Sequence, residues 1–176
     1  MVLTGALHLS YKIGVGELRK NIYIDFSYLV MLAATFGAVL VLGAIAAPVI
    51  FHSDKILVDM VMDNYNAGII MGEIFHRFSY WIYFVAFGVS LYEAAQYKTG
   101  QRDAVSFVSA MTIVFASLMF SGVYAPKILG MQAIGVEATQ SDTFHNIHMA
   151  SEIDFKILAV ALLVLFVRRL MLLRRA

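Results

Sequence analysis

The chain has no cysteine. That excludes disulfides, zinc–thiolate centres and iron–sulfur clusters, all of which need a thiolate. Charge is also scarce. Asp, Glu, Lys and Arg make up 14% of the 176 residues, where an average soluble domain holds about 25%. Apolar residues fill the gap: 61% of the chain is hydrophobic and the mean hydropathy is +0.79. This composition sets the class as membrane protein before any segment is drawn. No stretch is long and polar enough for a second domain. No nucleophile–base pair, phosphate-binding loop or HExxH pattern is present, which puts an enzyme last among the readings. A net charge of +1 carries no argument for nucleic acid, and none is expected as a partner.

Proline is nearly absent too, and its two occurrences organise the rest. Gly43-Ala44-Ile45-Ala46-Ala47-Pro48-Val49-Ile50-Phe51 is followed downstream by Glu73-Ile74-Phe75-His76. Ser121-Gly122-Val123-Tyr124-Ala125-Pro126-Lys127-Ile128-Leu129 is followed by Asp142-Thr143-Phe144-His145. Each copy reads small residues, Ala-Pro, a short apolar tail, a polar segment, then an acid two residues before Phe-His. We read one helical hairpin used twice, which implies a pseudo-twofold axis along the membrane normal.

The expected fold class is all-α, an integral membrane four-helix bundle. A spanning helix needs about 20 apolar residues, and the spans fall at residues 26–51, 75–95, 104–126 and 152–173 within a transmembrane domain of residues 23–173. Residues 1–22 form an N-terminal segment too mixed to span, and His8 there has no partner nearby. Ala33, Gly37, Gly43 and Ala47 suggest a small-residue face on the first span. Pro48 and Pro126 belong in the last turns of spans one and three. Asn64 to Gly68 reads as a turn. Ser106, Ser109, Thr112, Ser117 and Ser121 are expected to bond between helices. Tyr80, Trp81 and Tyr83 near one end of span two, and Tyr92 and Tyr97 near the other, form aromatic belts. A cleaved signal peptide would share the positive start, apolar run and Ala44-Ile45-Ala46, but the run is too long and Pro48 crowds the cut.

Lys12, Arg19, Lys20, Lys98, Arg102, Arg168, Arg169, Arg174 and Arg175 fall on one side. Lys55, Arg77, Lys127 and Lys156 fall on or near the other. The positive-inside rule then places both termini and the middle loop in the cytoplasm, in a bacterial inner membrane. Arg168 and Arg169 are expected to snorkel, as are Glu93 and Lys156, so that no span carries an ionisable residue at its middle.

The repeat sets His76 and His145 at equal depth near the outer surface. Glu73 is three residues before His76, His148 three after His145, and Glu152 four after His148, so each pair shares a helix face. Histidine with carboxylate suits a transition metal ion, and two histidines from two helices suit haem b. The bland alternative is that these groups cap helices or are simply solvated, since water is at hand. Glu152 and Asp154 would favour the dipole at a helix start, with Lys156 pairing to either. Met60-Val61-Met62 and Met71 read as apolar filler, there being no M-x-x-M array.

Ala47-Pro48-x-x-Phe51, Ala67-Gly68-x-x-x-Gly72-x-x-Phe75 and Phe144-x-x-x-His148-x-x-Ser151 together resemble the transmembrane protein 205-like group, across most of residues 26–170. The resemblance implies a four-helix membrane fold in a plasma or inner membrane and no settled activity. A link of eukaryotic members to metal-containing drugs leans toward metal.

Three readings follow. The first is an inner-membrane protein binding a metal ion or haem at its outer face through His76, His145, His148, Glu73 and Glu152. The second is a non-catalytic scaffold or accessory subunit, with lipid and a homodimer or complex subunit as partners. The third is a small-solute carrier working as a dimer.

Overall fold

The structure is a computed structural model that describes residues 22–56 and 63–174. The readings of residues 1–21, including His8, and of Met60-Val61-Met62 lie outside the described residues.

Four long helical segments account for most of them. Helix α1 runs Ile22–Val41, widens through a π turn at Leu42–Ala46, and continues as Ala47–Phe51. Helix α2 is Asn64–Lys98. Helix α3 runs Ala104–Met119, passes a π turn at Phe120–Tyr124, and continues over Ala125–Ile134. Helix α4 is Asp142–Leu173. No strand occurs among the described residues.

The helix starts follow from side-chain caps. Asp63 accepts the Asn66 N–H at 2.7 Å, Asp103 the Ser106 N–H at 2.8 Å, and Ser141 the Phe144 N–H at 3.2 Å. Each satisfies one of the amides that a helix start leaves open. The observed helix bounds correct three expectations. Asn64 to Gly68 is the opening of α2 rather than a turn. Helix α4 begins at Asp142 rather than near residue 152. Helix α3 runs on past Pro126 to Ile134, where Gly135 takes a φ of 128°. Polar composition marked these segments as loops, yet a polar segment with a good cap and packed neighbours is free to be helical.

Both prolines sit inside helices, and both are accommodated in the same way. A helix-interior proline lacks an N–H and its ring clashes with the carbonyl four residues back. The preceding turn widens: Ala47 N–H reaches the Leu42 carbonyl, and Ala125 N–H reaches the Phe120 carbonyl, each five residues back. Such single π turns recur at functional sites.

Helices α1 and α3 each lie against both α2 and α4. Asp25, Tyr92, Glu93, Asp103 and Arg169 bond to one another or to close neighbours at one end, so consecutive helices run in opposite directions. The packed interior includes Leu32, Ile82, Val85, Val89, Ile113, Leu158, Leu162 and Leu165, all fully buried. Outward-facing positions are apolar as well, among them Phe84, Phe87, Leu91, Phe107, Phe115 and Val160. Two helices, Ile22–Phe51 and Ala104–Ile134, are long and apolar enough to cross a membrane. Only 22% of the most apolar stretch of the first is buried, which sets it apart from the core helix of a soluble domain.

The expected small-residue face of α1 is not its packed face. Tyr28, Leu32, Thr35 and Val39 are buried instead, at spacings of three and four. Nothing lies within 4 Å of where a Gly37 side chain would begin, whereas Gly43 meets Phe155 there at 3.9 Å. Close approach occurs at Gly68 and Gly72, which receive the Gln132 side chain, and at Gly88 against Met31. The α3 hydroxyls also depart from expectation. Ser106, Ser117 and Ser121 have buried oxygens without partners, and Thr112 bonds the Val108 carbonyl of its own helix. The three serines pack as small residues.

Candidate functional site

The strongest polar constellation lies at the end where α2 and α4 finish. Arg169, 3% exposed, donates through Nε to Glu93 Oε1 at 2.8 Å, through Nη2 to Glu93 Oε2, and through Nη1 to Gln101 Oε1 at 3.2 Å. This is the two-pronged geometry that guanidinium and carboxylate share. Tyr28 donates to Glu93 at 2.9 Å. Its ring stacks on Tyr92 at 3.7 Å, and the Arg169 guanidinium lies 5.4 Å from the Tyr92 centroid. Tyr92 in turn donates to Asp25 at 2.6 Å. Beside these groups a cleft of about 40 Å³, bordered by Asp25, Gln96, Gln101 and Leu172, has room for water-sized molecules.

The neighbouring Arg168 turns to α3. Its Nε lies 3.0 Å from Asp103 Oδ2 and 3.2 Å from Oδ1. That guanidinium holds the Asp103 carboxyl well below the usual carboxylate range, partial burial opposing it and the Ser106 amide assisting. Thus Arg168 and Arg169, expected to snorkel, are spent on fixing α4 to α3 and α2. Glu93 is likewise drawn inward, because a buried guanidinium supplies what water would have given.

Between the ends lies an aromatic layer. Phe155 of α4 meets Phe120 at 4.9 Å, Phe75 at 5.4 Å and Phe78 at 6.3 Å between ring centroids. Phe120 opens the α3 π turn, and Gly43 of the α1 π turn packs on Phe155. Beside α1, Trp81 Nε1 donates to Thr35 Oγ1 at 3.0 Å. Asp154, next to Phe155, is nine-tenths buried, and its Oδ2 has no hydrogen-bond partner.

The residues proposed for a metal or haem are placed separately. Glu73 is exposed and bonds Arg77 at 2.7 Å. His76 is exposed and sits edge-on to Tyr80. His145 is exposed, and His148 stacks on Phe144. His148 Nε2 lies 3.3 Å from Glu152 Oε1, and Lys156 pairs with Glu152 at 3.5 Å rather than with Asp154. Of the five, then, only His148 and Glu152 are brought together. Among the described residues no three His, Asp or Glu side chains converge as metal ligands would. The cause lies in rotation: Phe75 claims the inward face of α2, and Ser151, Asp154 and Phe155 that of α4, which leaves the adjacent His76 and Glu152 facing outward.

Sequence reasoning missed the Glu93–Arg169 lock and the burial of Asp154. A signal existed for both. Ser151, Asp154, Leu158, Leu162, Leu165 and Arg169 continue one stripe at spacings of three and four, so each charge falls on the packed face of α4.

A family described as a domain of unknown function, DUF4149, matches residues 30–137. The chain belongs to this family. The DUF4149 match takes in α1 from Val30, all of α2 and α3, and both π turns, and it stops short of α4. No curated protein and no solved structure matches the chain.

Proposed function

We propose that this DUF4149 chain is a four-span membrane protein, two hairpins related by a pseudo-twofold axis, that serves as a non-catalytic component of a larger membrane assembly. The observation that carries this reading is how the polar chemistry is used. Glu93, Arg169, Tyr28, Tyr92, Asp25, Asp103 and Arg168 bond among themselves and tie all four helices at one end. A buried ion pair of this kind fixes geometry more than it adds stability. Two features support the repeat: the paired π turns before Ala47-Pro48 and Ala125-Pro126, and the Phe-His that recurs downstream of each. The resemblance to the transmembrane protein 205-like group and the positive-inside rule favour a bacterial inner membrane with both termini cytoplasmic.

The metal or haem reading has the His148–Glu152 pair in its favour. Two groups do not fill a coordination shell, and no third His, Asp or Glu among the described residues joins them, so the assembly role is the better supported. The partner is a second copy or another membrane subunit. Native mass measurement of a mild-detergent extract tests this: a complex heavier than one chain is expected, and a lone monomer refutes the role. Topology has its own test. Because the chain has no cysteine, a single one at the exposed Lys98 or Lys55 reports its side cleanly. Impermeant reagent added to spheroplasts should label Lys55→Cys and leave Lys98→Cys untouched.

A further inference from the structure

Asp154 Oδ2 meets neither solvent nor a hydrogen-bond donor. The nearest cation on its own helix, Lys156, is exposed and turned to Glu152. His52, Asp54 and Lys55 after α1, Glu73, His76 and Arg77 of α2, and Lys127 of α3 are exposed, and Tyr124 is half-buried. None of them bonds Asp154. A carboxylate with one oxygen shut off from water and donors, and with no cation paired to it among the described residues, is disfavoured as a bare charge. A cation taken up from outside the chain relieves that cost.

The surroundings supply more oxygen. The Phe155 and Phe120 rings meet at 4.9 Å, which sets the α4 turn that carries Asp154 against the α3 π turn that carries Ser121. Ser121 lies in the α3 π turn, and its hydroxyl oxygen is also buried without a partner. Gly43, in the α1 π turn, packs on Phe155. A residue with an N–H at position 48 or 126 would serve a carbonyl four or five residues earlier. Proline at both positions withdraws that amide from Gly43 or Ala44 and from Ser121 or Gly122. Proline-interrupted helices at matching places in two halves, with freed carbonyls nearby, are where membrane proteins hold small cations. Asp154 is fifteen residues from Arg169, about 22 Å along the helix, which keeps it within a hydrocarbon layer about 30 Å thick if Arg169 stands at one edge of that layer.

We propose that Asp154, with the oxygens of the two proline-broken helix turns, is the uptake site for a small monovalent cation, a proton or Na⁺. Loaded, the layer stays neutral and packed around Phe75, Phe120 and Phe155. Unloaded, it holds an uncancelled charge beside the aromatic rings and loosens. The packing of the proline-broken turns is thereby coupled to cation supply. The inference does not depend on the assembly role and fails separately from it.

The test uses the full chain in lipid nanodiscs at neutral pH. If a proton is held, the infrared spectrum contains a protonated carboxylic acid band that disappears in Asp154→Asn. If Na⁺ is held, exchanging choline for Na⁺ raises the melting temperature of the native protein by at least about 2 °C, and Asp154→Asn abolishes the rise. Should Asp154→Asn fail to fold, Asp154→Glu serves, expected to shift the acid band or weaken the Na⁺ response. A native protein showing neither signal overturns the proposal. So does either signal persisting unchanged in the variant.

Discussion

Arg169 of α4 and Glu93 of α2 form a buried two-pronged ion pair between helices that otherwise meet through long side chains. Removing one partner leaves the other charged and enclosed, the costly case for a buried pair. Arg169→Met or Glu93→Leu alone should each lower unfolding stability by about 3–5 kcal/mol. The double variant should recover most of that loss. Denaturant or thermal unfolding of the purified protein in detergent measures both, and additive losses would show that the pair is not a unit.

Asp103 is held low by Arg168, so its sign is that of a depressed carboxylate. The stabilisation is complete above the ordinary Asp range and drains away as pH falls toward the lowered folded value. The native protein should therefore lose stability progressively below about pH 4. Asp103→Asn keeps a capping oxygen for Ser106 but loses the ion pair, and its melting temperature should fall less steeply over the same acid range. Melting curves from pH 6 to pH 2.5 decide it.

Glycine substitutions should rank by what a new methyl meets. At Gly72 it would lie 2.5 Å from Gln132 Oε1 and 3.1 Å from Leu129 Cδ2. Gly72→Ala should cost about 1–3 kcal/mol through overpacking, unless the Gln132 side chain swings clear. Gly37→Ala meets nothing within 4 Å and should be neutral or stabilising by up to about 1 kcal/mol, since Ala is the better helix former. Unfolding measurements that put Gly37→Ala below Gly72→Ala would contradict this packing.

Histidine replacements test the surroundings of His76, His145 and His148. His76→Ala and His145→Ala remove exposed rings and should change stability by no more than about 0.5 kcal/mol. His148→Ala also removes a solvent-exposed pair with Glu152, worth about 0–1 kcal/mol. Elemental analysis of the native protein and the three variants complements the melts. Tightly held metal lost in any one of them would restore the metal reading.

The apolar runs, the lone prolines and the recurrence of Ala-Pro and Phe-His already dictate long helices in the sequence, because hydropathy and backbone chemistry are local. The Leu, Ile, Val and Phe content of residues 26–51 suits a helix whatever surrounds it. Rotation about the helix axis is not local. Whether Phe75 or His76 faces inward depends on which neighbour offers space, and Phe120 and Phe155 gave that space to the phenylalanine. The fate of charge was decided the same way. Arg169 alone reads as a snorkelling cation, and becomes a lock only because α2 brings Glu93 opposite. Asp154 reads as an acid near a helix start, and becomes a buried, unpartnered carboxylate only because the capped helix begins twelve residues earlier and turns it toward the interior. The sequence on its own determined what each segment becomes; the packing of four helices decided which side chains meet, because that depends on shape and rotation at contacts distant in the chain.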